Sequence, residues 1–276
     1  MLYLFLAIAS SVLVSVTMRL SSGRAKNPIV MLSANYLMCL GIAACFTGFG
    51  AIFPRQEGLT ATLSMGAING ILYLASFVIY QRSVQRCGIV LSSTFMKLGL
   101  LVPIAVSVLV FREMPSVVQS IGFVIAVVAI ILINAGHTDG RFSLGLIGLL
   151  IIGGGANAMS EIFEKIGTAG LSSQFLLYTF LAAFLLCCSL ALIKKERPDA
   201  VSILFGLLIG IPNYFSARFL LLSLDAVPAV IAHPTYSVVS VAVVSVLGVC
   251  FFKERLKLRQ WIAMIIIGCA LILLNL

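Results

Sequence analysis

The chain has 276 residues, of which 61% are hydrophobic and only 10% charged, with a mean hydropathy of +1.17 and a formal net charge of +9. So few charges cannot clothe a water-soluble surface, which excludes a soluble globular enzyme and predicts an all-α integral membrane protein. The basic residues sit in short hinges between apolar runs, where they flank membrane spans, and this excludes a nucleic-acid-binding face.

Charged or Pro/Gly-containing breaks divide the chain into ten apolar spans, at residues 2–18, 28–50, 59–80, 89–110, 116–135, 142–161, 171–193, 201–224, 227–251 and 258–276. Each is about long enough to cross a hydrocarbon core of roughly 30 Å. The first is read as a span and not as a cleaved signal, because no basic residue precedes its apolar run and Arg19 follows it. Ten spans put both termini on one face, here called Y. The first, third, fifth, seventh and ninth hinges then lie on the opposite face, X. The X hinges hold 13 of the Lys and Arg residues against four on Y, so the positive-inside rule makes X cytoplasmic.

In the third span, Gly66 and Gly70 have the GxxxG spacing that lets helices approach closely in lipid, and Asn69 and Tyr73 lie roughly 15–21 Å in from Y. The fourth span carries Lys97, about 12 Å from X and too deep to snorkel easily, and is interrupted by Pro103. An ionisable group at that depth is costly. Two readings of Lys97 stand: a cationic anchor for a carboxylate or phosphate of a substrate, or a structural residue held by an ion pair or by helix carbonyls. The sixth span contains Gly153, Gly154 and Gly155, read as a flexible or tightly packed crossing because no GKS/T follows, and ends near Y with Glu161. In the eighth span, Gly206 and Gly210 repeat the GxxxG spacing; Asn213 and Tyr214 reach about 18–20 Å from X, and Arg218 about 26 Å. The equal depth and opposite charge of Glu161 and Arg218 predict either a fixed structural pair or a proton-coupling pair. The ninth span is interrupted at His233-Pro234, with His233 and Tyr236 about 9 and 14 Å in from Y. Tyr73, Tyr214 and Tyr236 suit either a pocket for an amphiphilic solute or plain packing.

Residues 111–134 (FREMPSVVQSIGFVIAVVAIILIN) and 252–275 (FKERLKLRQWIAMIIIGCALILLN) are identical at nine of 24 positions with a constant offset of 141, including Phe111/Phe252, Glu113/Glu254, Gln119/Gln260 and Asn134/Asn275. Leucines and isoleucines match by accident in so apolar a chain, but charged and amide positions do not. The stretch is therefore an internal repeat. Its copies fall on the fifth and tenth spans, and an odd separation of five makes the two halves opposite in sense. The predicted organisation is ten transmembrane helices as two inverted five-helix repeats, residues 1–135 and 136–276.

The hinges Phe111-Arg112-Glu113 and Phe252-Lys253-Glu254, each followed by Gln and a run of small and branched residues, together with LDAVPA at 224–229, carry a resemblance. Over essentially its whole length the chain resembles EamA-type members of the drug/metabolite transporter superfamily. The resemblance implies a carrier of amino acids, related metabolites or drug-like amphiphiles, and termini inside, opposite to the sidedness from the basic residues.

The seven cysteines show no CxxC or Cys/His ligand spacing, and all but Cys87 lie in apolar runs, so they read as small fillers, with no metal or cofactor expected. No HExxH, GxSxG or paired intramembrane Asp supports an enzyme. The leading expectation is a secondary-active transporter of a small polar or amphiphilic metabolite in the cell membrane. Lys97, Asn69, Tyr73, Asn213, Tyr214, His233 and Tyr236 are its substrate-binding candidates, and Glu161 and Arg218 its coupling candidates. Its partners are the lipid bilayer, the solute and protons, in a monomer or homodimer. A non-transporting scaffold or sensor subunit is the alternative.

Overall fold

A computed structural model describes residues 2–48, 51–54, 56–99, 101–110, 112, 116–134, 140–168, 170–224, 229–254 and 258–274. All regular structure among them is helical: α1 (Leu2–Ser21), α2 (Pro28–Thr47), α3 (Leu59–Cys87), α4 (Ile89–Leu98), α5 (Leu101–Leu109), α6 (Val117–Asn134), α7 (Gly140–Ile166), α8 (Ser172–Ile193), α9 (Ala200–Leu224), α10 (Ala229–Cys250) and α11 (Leu258–Leu274). Five of these, α1, α2, α3, α8 and most of α9, are long and apolar enough to cross a bilayer, and shorter apolar helices make up the rest. The fourth predicted span is carried by α4 and α5 together. Phe111, Glu113, residues 225–228 and Asn275 of the sequence motifs lie outside the described residues.

Helix ends follow local chemistry more than hydropathy. α3 runs on through the charged hinge to Cys87, seven residues past its predicted end, because Gln81, Arg82, Arg86 and their neighbours are good or neutral helix formers. Gly88 then stops it at φ 85°, a left-handed backbone that glycine adopts without a Cβ penalty. α9 starts at a cap in which Asp199 Oδ2 accepts the Ser202 N–H at 3.0 Å, and the Ser202 hydroxyl accepts the Asn27 N–H at 3.1 Å, tying the hinge before α2 to that before α9. The expected interruption at Pro234 is not realised in the backbone: α10 is helical from Ala229 to Cys250. Pro212 likewise lies inside α9.

The helices pair in a pattern with one internal symmetry. α2 packs on α9 and α8, α3 on α8 and α7, α1 on α9 and α10, α7 on α4 and α5, α6 on α11, and α4 on α10. Exchanging each of the first five spans for the span five later maps α2–α9 onto α8–α3, α1–α9 onto α7–α3, and α1–α10 onto α7–α4/α5. The contacts α2–α8, α6–α11 and α4–α10 map onto themselves.

The two GxxxG motifs make close backbone pairs in that pattern. A β-carbon at Gly70 would lie 2.6 Å from Thr179 O, and one at Gly210 2.6 Å from Asn35 O; Gly66 and Gly206 approach Tyr178 and the Met31 carbonyl as closely. In lipid, where no hydrophobic effect draws helices together, such backbone contact supplies the association energy. Gly154 is likewise packed on Gly99, where an added β-carbon would sit 2.9 Å from the Gly154 nitrogen.

Candidate functional site

α4 is buried along its first two turns, from Ile89 to Phe95, and then presents Lys97, which is half-buried, in its last turn. The ammonium lies 3.6 Å from the centroid of the Tyr236 ring on α10, a cation–π contact worth about 2 kcal/mol or more where water is excluded. The Tyr236 hydroxyl shares a 2.8 Å hydrogen bond with Ser216 of α9, and Ser11 of α1 is within its reach. Among the described residues no carboxylate stands within ion-pair distance of Lys97. The ion-pair explanation of this lysine is therefore not what the described structure shows. The α4–α10 contact is one of those that map onto themselves, so Lys97 and Tyr236 meet across the two halves of the chain.

Aromatic rings extend from this point toward Y. Tyr73 on α3 is half-buried and stands near Tyr236 and Cys39, with Tyr36 near it in turn. Tyr73 meets Phe180 edge-to-face at 5.9 Å, Phe180 lies 6.3 Å from Tyr214, and Tyr214 stacks on Phe46 at 5.8 Å. Arg218 closes the series, its guanidinium 4.1 Å from the Phe46 centroid and its Nη1 donating to Tyr214 Oη at 3.4 Å. Lys97 with Tyr236, and Tyr73 through Phe180, Tyr214 and Phe46 to Arg218, thus form two neighbouring runs of aromatic contacts, each ending on a cation.

Asn69 and Asn213 are placed otherwise. The Asn69 amide donates to Thr179 Oγ1 at 3.4 Å in the α3–α8 seam, and Asn213 donates to Asn35 Oδ1 at 3.3 Å and Cys39 Sγ at 3.5 Å in the α9–α2 seam. These are bonds between packed helices, one beside each glycine pair. Three wholly buried polar atoms nearby have no partner among the described residues: Asn35 Nδ2, Tyr36 Oη and Asn69 Oδ1. Unsatisfied polar groups at this depth cost about 1–3 kcal/mol each and mark where a solute or water finds bonds. Glu161 and His233 are helical in backbone, and their side chains lie outside the described residues. A half-open cleft of about 330 Å³ between α3 and α7 at face X is lined by Ile79, Arg82, Ser83, Arg86, Leu144 and Gly145.

Sequence reasoning missed Asn35, Tyr36, Phe46, Phe180 and Ser216. The adjacent Asn35-Tyr36 in mid-span was the one available signal.

Residues 142–276 match the model of the EamA-like transporter family. An uncharacterized protein of Haemophilus influenzae is 25% identical over 283 residues, covering 95% of this chain and 93% of that one. A solved crystal structure aligns with a TM-score of 0.65 at 14% identity, covering 98% of this chain and 96% of its own, a likeness of fold.

Proposed function

We propose, from the premise that residues 142–276 belong to the EamA-like transporter family of the drug/metabolite transporter superfamily, that the chain is a secondary-active carrier of a small metabolite bearing an acidic group. Multi-pass insertion in a membrane follows from the family and the apolar helices; residence in the cell membrane is part of the proposal. The halves 1–135 and 136–276 are read as an inverted duplication, a reading supported by the exchange symmetry of the helix pairs and by the shared hinges. Carriers built this way hold the solute near the midplane between the repeats and open it to each face in turn.

The observation that carries this reading is Lys97: a half-buried cation at bilayer depth, set over the Tyr236 ring, with no acidic partner among the described residues. The ion-pair form of a structural lysine has no acidic partner among the described residues, and a solute carboxylate would supply that charge. Tyr73, Tyr214 and Tyr236 provide apolar walls with hydroxyls at their edges, which suits an amphiphilic solute such as an amino acid or aromatic acid. Asn69, Asn213 and His233 complete the candidate set, the two asparagines through the unpartnered atoms of their seams. Coupling is read onto Glu161, which on this reading binds a proton in one conformation and Arg218 in the other, with protons as the driving ion.

Reconstitution into liposomes with a panel of labelled amino acids and organic acids tests the assignment. Lys97→Gln should weaken uptake of the transported acid by about 10- to 100-fold, the worth of a hydrogen bond to a charged group. Glu161→Gln should abolish gradient-driven uptake while leaving counterflow. Absence of flux for every solute would return the chain to a scaffold role.

A further inference from the structure

The hinge glutamate of the second copy of the repeated stretch makes contacts that the central site does not account for. The Glu254 carboxylate, only 8% exposed, accepts the Ile89 N–H at Oε1 (2.7 Å) and the Val90 N–H at Oε2 (3.2 Å). These are two of the first amides of α4, groups with no acceptor inside their own helix, at the end of the dipole that favours an anion. Arg19, at the end of α1, lies 3.5 Å from Oε1 through its Nε and donates from Nη1 to the Val84 carbonyl of α3 at 3.3 Å. Gly88 makes room for the carboxylate: a β-carbon there would stand 2.6 Å from Oε1, and its φ of 85° suits glycine alone. One side chain thus binds the α10–α11 hinge to the start of α4 and the end of α1, and through Arg19 to the end of α3, all at face X.

Two features give this cluster a task beyond stability. It grips the same short helix that carries Lys97, eight residues or about 12 Å further along. It also joins helices from both halves of the chain, the parts that must separate for the centre to open toward X. We propose that Glu254 is a positioning residue for transport: it clasps α4 to α1 and α11, keeps the X mouth shut and sets the depth of Lys97, and it must let go of the α4 amides for the carrier to open to X. This rests on the carrier reading above, but it is tested without flux.

The test uses the full-length chain with its seven cysteines replaced and one cysteine introduced at position 97, in intact cells and in inverted vesicles. A membrane-impermeant maleimide is applied to each face in turn. With Glu254 intact, labelling from X should be slow. Glu254→Gln keeps the shape but loses the charge, and Gly88→Ala crowds the same carboxylate; each should speed X-side labelling by about tenfold, the worth of one charge-assisted hydrogen bond, with no gain from Y. Because both loosen the same carboxylate, their effects should fall short of multiplying, even with the backbone strain that alanine at φ 85° adds. Unchanged X-side labelling in monodisperse variants, or rates that multiply in the double variant, would overturn the clasp; should Glu254→Gln fail to fold, Gly88→Ala decides. Absence of flux with the labelling shift intact would sink the carrier reading and leave the clasp standing.

Discussion

Lys97 was legible because a full charge inside an apolar run has no cheap explanation. What it sits on was not. Tyr236 lies 139 positions further on, and nothing in either segment announces that α4 and α10 meet. Asn35 and Tyr36 escaped notice for a related reason: an uncharged polar side chain costs little when it bonds a neighbouring helix, so its presence in a span carries little signal. The ring beneath the ammonium yields a separable prediction. Tyr236→Phe keeps the π-face and loses the Ser216 bond, whereas Tyr236→Leu loses the face. The apparent affinity for the transported acid, read from concentration-dependent uptake, should change by under threefold in the first and by roughly fivefold to thirtyfold in the second, following a contact worth about 1–2 kcal/mol.

Ten apolar runs were readable from hydropathy, and their order matches the helices, but their ends were not readable in the same way. α3 and α7 each overrun their predicted ends into charged hinges, since hydropathy marks where lipid stops and says nothing about where a helix stops. The uncommon backbones are more informative. Arg112 and Lys253 hold equivalent places in the repeated hinge and have φ values of 54° and 52°, a left-handed conformation rare for side chains of that size. Lys195, in the hinge between α8 and α9, has the same φ of 52°, so this conformation is a feature of basic helix ends here and not of the repeated hinge alone. The glycines of the paired helices allow a contrast within one residue type. Gly70→Ala forces a methyl against the Thr179 carbonyl and should cost about 1–3 kcal/mol, seen as a lower melting temperature in detergent. Gly41→Ala, with open space around its α-carbon, should leave stability equal or raise it by roughly 0.5–1 kcal/mol.

At the scale of the molecule, a repeated stretch was legible from three polar matches and one phenylalanine at one offset, while the packing around it was not. A repeat fixes which segments correspond; it does not say that α2 would lie against α9 or that α4 would face α10. Those contacts depend on complementary surfaces, such as Gly210 beneath Asn35, that a single apolar string does not rank. Consider what the glycine seams imply for movement. On the carrier reading, backbones that touch at 2.6 Å from a would-be methyl leave the α3–α8 and α2–α9 seams little slack to slide, whereas the α4–α10 contact beside Gly248 is closed by the Val90 side chain and is the one expected to give. On that reading, stapling the lipid-facing flanks of α3 and α8 with a short bis-maleimide should spare counterflow, because their seam is packed backbone to backbone. The same staple placed between α4 and α10 should stall it with the solute on board.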